Sequence, residues 1–119
     1  MVLIVVGEIR VNFTEINGRL SAISEVEGQE ILADFLDSWR YPCEIRGDLL
    51  PEIDAVLEGR LPDIEIGADV VGLAYVDPVT TKLIGSDVGH ENMVFKTSDF
   101  KKVILEWLKF LEDKKGGIS

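Results

Sequence analysis

Apolar and polar positions alternate along the first part of the chain. Val2 to Val6 is apolar throughout. After Gly7, the residues Ile9, Val11 and Phe13 share one side, while Glu8, Arg10, Asn12 and Thr14 share the other. A period of two predicts strand, with Gly7 as a bend or bulge. Asn17-Gly18 predicts a type I′ hairpin turn, because both residues tolerate positive φ. Leu20 to Val26 then returns as the second strand. Past Gly28 the period changes. Ile31, Leu32, Phe35, Leu36 and Trp39 fall on one helical stripe, and Asp34, Asp37 and Arg40 face away. Tyr41-Pro42 predicts the end of this helix, since the residue before proline avoids the helical region.

From Cys43 to Leu50 the pattern is weak. Pro51 suits the first turn of a short helix. Its apolar face is Ile53, Val56 and Leu57, and Gly59 is its stop. Ile64 and Ile66 alternate with Asp63 and Glu65, which predicts a short edge strand. Asp69 to Val76 has apolar residues on both faces and reads as an interior strand. Asp77-Pro78-Val79-Thr80 predicts a tight turn. Thr81 to Ser86 returns as a strand, Gly85 to Asn92 is a polar loop, and Met93 to Phe95 is a last short strand.

The clearest pattern closes the chain, from Thr97 to Asp113. Phe100, Val103, Ile104, Trp107, Leu108 and Leu111 lie on one helical face, opposite Lys101, Lys102, Glu106 and Lys109. Thr97 or Ser98 can cap its start, and Asp99 suits the positive end of the helix dipole. Lys114, Lys115, Gly116 and Gly117 mark its end. The element order predicts a single α+β domain over residues 1–119. It should hold a mainly antiparallel sheet of about five strands, with two or three helices packed on it and an amphipathic C-terminal helix.

Composition adds a charge bias to this picture. The chain is 46% hydrophobic, enough for an ordinary core, and carries 22 acidic against 12 basic residues, a net charge of -10. Phosphate repels such a surface, so nucleic acid is not the expected partner; a cationic protein is. Cys43 is the sole cysteine, which rules out an intramolecular disulfide and predicts a reduced, cytoplasmic setting. The apolar N-terminal run is too short to span a membrane and has no basic region before it.

Candidate chemistry is sparse. Asp87, His90 and Glu91 share one polar loop, where a histidine between carboxylates could hold a metal or move a proton. Cys43 reads as a packed, inert thiol, and Trp39 and Trp107 read as core. No phosphate-binding glycine motif is present, and no cofactor is expected. The acidic residues are the stronger signal. Asp34 and Asp37 lie on the outer side of the first helix, and Glu52, Asp54 and Glu58 on the second. Asp63, Glu65 and Asp69 follow, and from Asp48 to Asp69 the single basic residue is Arg60. Such a run is either a solvated face or a docking surface for a cationic partner, with Trp39 or Tyr41 as aromatic anchor.

These features resemble the immunity proteins of bacterial toxin systems, including those of contact-dependent inhibition. The segments that carry the resemblance are the acidic stretch from Asp48 to Asp69, the hairpin AYVDPVTTKLIG and the helix DFKKVILEWLKFL. The resemblance implies a non-enzymatic protein that binds a toxin domain, often a basic nuclease, and occludes its active site. Two other readings stay open. One is a small enzyme or metal-binding domain built on Asp87, His90 and Glu91. The other is a structural domain that self-associates through an exposed strand edge.

Overall fold

The alternating patterns resolve into strands and the helical stripes into helices. In the computed structural model, which describes residues 3–5, 9–24, 30–68, 72–85 and 92–114, the first elements are β1 (Leu3–Val5), β2 (Asn12–Ile16), β3 (Arg19–Ile23) and α1 (Glu30–Ser38). A helical stretch follows as α2 (Pro42–Glu44), a π-turn (Ile45–Leu49) and α3 (Leu50–Leu57). Then come β4 (Ile64–Ala68), β5 (Gly72–Val76), β6 (Thr80–Gly85), β7 (Asn92–Lys96) and α4 (Thr97–Lys114).

The architecture is α+β. A five-stranded sheet runs in the order β1-β7-β6-β5-β4, and β2 with β3 forms a separate two-stranded sheet. Neighbours in the large sheet are antiparallel except β1, which lies parallel to β7. The apolar run at the N-terminus and the alternating stretch after it are therefore two strands in two sheets. Gly7, expected to bend a single strand, lies outside the described residues. The β2–β3 hairpin has Asn17 at φ 52° and Gly18 at φ 81°, the conformation that the Asn-Gly pair was expected to supply.

The helices cover one face of the large sheet. Ile66, Ala74, Val76, Leu83, Met93 and Phe95 point to that face and are buried. Alternate residues point to the other, where Leu73 is 36% and Tyr75 is 39% exposed. The apolar residues on both sides of β5 thus do not mean that both sides are covered. Phe100 of α4 joins the layers, with Phe35 of α1 at 5.4 Å and Phe95 of β7 at 5.5 Å between ring centroids. Farther along α4, Phe13 of the hairpin packs on Trp107 at 5.3 Å and on Phe110 at 5.6 Å. One apolar cluster consequently joins hairpin, helices and sheet.

Two local features depart from the sequence expectation. The second helical stretch starts at Pro42, not at Pro51. The first helix has already ended at Ser38, and Pro42 supplies a preset φ for the first turn of the next helical stretch. A proline inside a helix lacks an N–H and crowds the carbonyl four residues back. Here the π-turn lies just upstream, and Leu50 N–H bonds back to Ile45 O, one residue farther than an α-helical bond. That wider turn makes room for Pro51. The second departure is Thr97, whose hydroxyl does not cap its own helix. It donates to Asp77 O at 2.7 Å and meets the Thr81 hydroxyl at 2.8 Å, both threonines being fully buried. The start of α4 is thereby tied to the β5–β6 turn, and Thr97 N–H also donates to Val79 O at 3.0 Å.

Candidate functional site

Because the helical stretch begins at Pro42, Glu44 and Asp48 belong to the same rod as Glu52. Acids four residues apart on a helical stretch lie near one line. All three are exposed, and none makes an ion pair or side-chain hydrogen bond among the described residues. Arg46 sits on the same rod but is turned toward α4, where its Nε donates to Glu112 at 3.0 Å and its Nη2 at 2.7 Å. A two-pronged guanidinium–carboxylate contact of this kind fixes orientation as well as charge. The ridge therefore presents carboxylates while its one arginine is occupied elsewhere.

The acidic residues read from the sequence as a docking surface differ in what their carboxylates engage. Asp37 is half-buried and holds α1 to the hairpin. Its carboxylate takes Arg40 at 2.9 Å, Arg19 at 3.2 Å and the Ala22 N–H at 3.4 Å, while Arg40 also donates to Leu20 O at 2.6 Å. Asp54 pairs with Lys101 of α4 at 2.6 Å and bridges two helices. Glu58 pairs with Arg60 at 2.8 Å at the exposed end of α3. Asp34 is exposed on α1. Glu52, Asp63 and Glu65 are exposed and make no ion pair among the described residues. Asp69 lies outside the described residues, as do Asp87, His90 and Glu91.

Glu44 extends the set beyond the acidic stretch from Asp48 to Asp69 read from the sequence. The missed signal was Pro42, read as a stop when it is a helix start. The same turn exposes Tyr41, 59% accessible immediately before the acidic rod. Trp39, the other suggested anchor, is instead packed against the core. Cys43 was expected to be packed and is exposed, because the neighbouring Pro42 takes the inward position at the start of the helix.

Past the rod, the turn from Glu58 leads to β4, the last strand of the large sheet. Glu65 stands on the open face there, in register with Tyr75 of β5, which is in register with Lys82 of β6. At the near end of this row is a cleft of about 380 Å³, lined by Asp63, Tyr75, Asp77, Thr80 and Lys82 among others. Asp77 is held by its own turn, accepting the Val79 N–H at 2.8 Å and the Thr80 N–H at 2.6 Å on Oδ1. An aromatic ring beside carboxylates suits an ammonium group, and Lys82 of the same chain brings one to this cleft.

Among the described residues, no group of three His, Cys, Asp or Glu side chains is placed to hold a metal, and no helix is long and apolar enough to cross a membrane. No family model, curated protein or solved structure matches this chain.

Proposed function

We propose that this chain is a non-enzymatic binding protein for a cationic protein partner. Its role is that of an immunity protein, neutralising a basic, nuclease-type toxin domain by direct contact. The observation that carries the reading is the uneven pairing of charge. Arg46, Arg60 and Lys101 are each engaged by a carboxylate of the same chain. Glu44, Asp48, Glu52, Asp63 and Glu65 remain exposed and unpaired among the described residues. From Glu44 to Glu65 the exposed charged side chains without an ion pair among the described residues are thus all acidic.

In this mechanism the carboxylates take the place of the phosphates that a nuclease surface would otherwise attract. Long-range attraction raises the encounter rate, and affinity comes chiefly from a desolvated aromatic centre. Tyr41 is the side chain suited to that centre. The experiment is capture of the partner on the native chain, followed by an activity assay of the captured protein. A basic nuclease whose activity is blocked at equimolar chain supports the reading. A partner that is acidic, or whose activity is untouched by binding, contradicts it.

A further inference from the structure

We infer that the outer edge of β4 is where the partner docks, by adding an extended strand whose basic residues alternate with apolar ones. The inference rests on the cationic-partner reading above and specifies the contact. Several observations converge on this edge.

The strand is the terminal one in the sheet order, so its outer side pairs with no other strand among the described residues. Alternate residues of an edge strand leave N–H and C=O groups free for a further strand. Natural edges are commonly blunted by proline, lysine or a bulge. Ile64–Ala68, with sequence IEIGA, has no proline and no lysine, and it pairs with β5 residue for residue without a bulge.

Charge then selects the occupant. Side chains along a strand alternate between faces. Glu65 is on the open face, and Asp63 lies two residues earlier. A strand laid beside β4 places its own open-face residues opposite these carboxylates, where opposite charges attract and like charges repel. On the helix side the neighbours are apolar. Ile64 and Leu57 are only half-buried, and Leu61 is exposed. An incoming strand with basic residues outward and apolar residues inward satisfies both sides.

A second copy of this chain fits less well. In a two-fold antiparallel pairing centred on Ile66, Glu65 faces Gly67 of the other copy. The two Glu65 side chains then lie diagonally across the same face, within the range where like charges repel.

The test uses a short peptide alternating lysine and valine, with a glutamate–valine peptide as control. Both are titrated into the whole protein while amide hydrogen exchange is followed. The expected result is slowed exchange in residues 64–68 with the lysine peptide and none with the glutamate peptide. The double variant Asp63→Lys, Glu65→Lys should weaken the lysine peptide roughly tenfold and let the glutamate peptide bind. Binding that survives this variant but is lost in Glu44→Lys, Asp48→Lys, Glu52→Lys overturns the edge inference and leaves the cationic-partner reading standing. Absence of any lysine-peptide binding overturns the edge inference. Partner capture then decides the broader reading separately.

Discussion

The indole N–H of Trp107 donates to the main-chain carbonyl of Trp39 at 2.7 Å, joining the middle of α4 to the segment that leads out of α1. The two residues are far apart in sequence: Trp107 sits on the apolar stripe of α4, and Trp39 directly follows the last residue of α1. Trp107 is fully buried, so its N–H needs a partner inside the protein. Trp39 supplies it from the main chain at the point where α1 has ended and its carbonyl is free of helical bonding.

Replacing Trp107 by alanine should therefore cost about 3–5 kcal/mol, from lost packing against Phe13 and Phe110. Trp107→Phe keeps a ring but orphans the Trp39 carbonyl, and should cost about 1–3 kcal/mol. Denaturant melts of both variants measure this. A loss below about 1 kcal/mol for the alanine variant would show that this face of α4 does not carry the core.

The buried threonine pair makes a second expectation. Thr97→Val should destabilise by about 1–3 kcal/mol, because it leaves Asp77 O and the Thr81 hydroxyl without their bond. The double variant with Thr81→Val should cost less than the sum of the two single changes. A double-mutant cycle measures the coupling, and strict additivity would mean that the two hydroxyls act independently.

Asp37 and Glu52 were equivalent as acidic site residues in the sequence, but the fold gives them different work. Asp37→Asn should lower stability by about 1 kcal/mol by weakening the half-buried contacts to Arg40 and Arg19. Glu52→Gln should leave stability within about 0.5 kcal/mol, as for an exposed residue with no partner. Thermal melts of the two variants side by side test the distinction. Equal effects would contradict it.

The parts of this fold that could be read from sequence are those in which one local signal dominates. The stripe from Phe100 to Leu111 has a single period and gives α4 within a residue of its observed end. Asn17-Gly18 fixes a hairpin because few other pairs accept two positive φ values. The parallel placement of β1 beside β7 has no local signal, since it depends on a contact across nearly the whole chain. The helical stretch from Pro42 was obscured by Gly47 and by Pro51, and the π-turn that accommodates Pro51 has no apolar period of its own.

The candidate site was legible in the same uneven way. Exposure of Glu52, Glu58, Asp63 and Glu65 follows from an acidic residue opposite an apolar face. The engagement of Asp54 by Lys101 could not be foreseen, because that lysine comes from a helix much later in the chain. Leu73 and Tyr75 read as buried because hydrophobicity does not say which face of a sheet the helices will cover. Their exposure beside the β4 edge emerges only from the assembled layers.

The central claim is that exposed, unpaired carboxylates steer a cationic partner to this surface. Its most direct test is the association rate of the captured partner at low and at physiological salt. The rate is measured for the native chain and for Glu44→Lys, Asp48→Lys, Glu52→Lys. Screening shortens the reach of the field to about 8 Å at physiological ionic strength. The native association rate should therefore fall steeply as salt rises, and the variant should associate at least roughly tenfold more slowly at low salt with its fold intact. A tight partner whose association rate ignores both the salt and the charge reversal would contradict the electrostatic account.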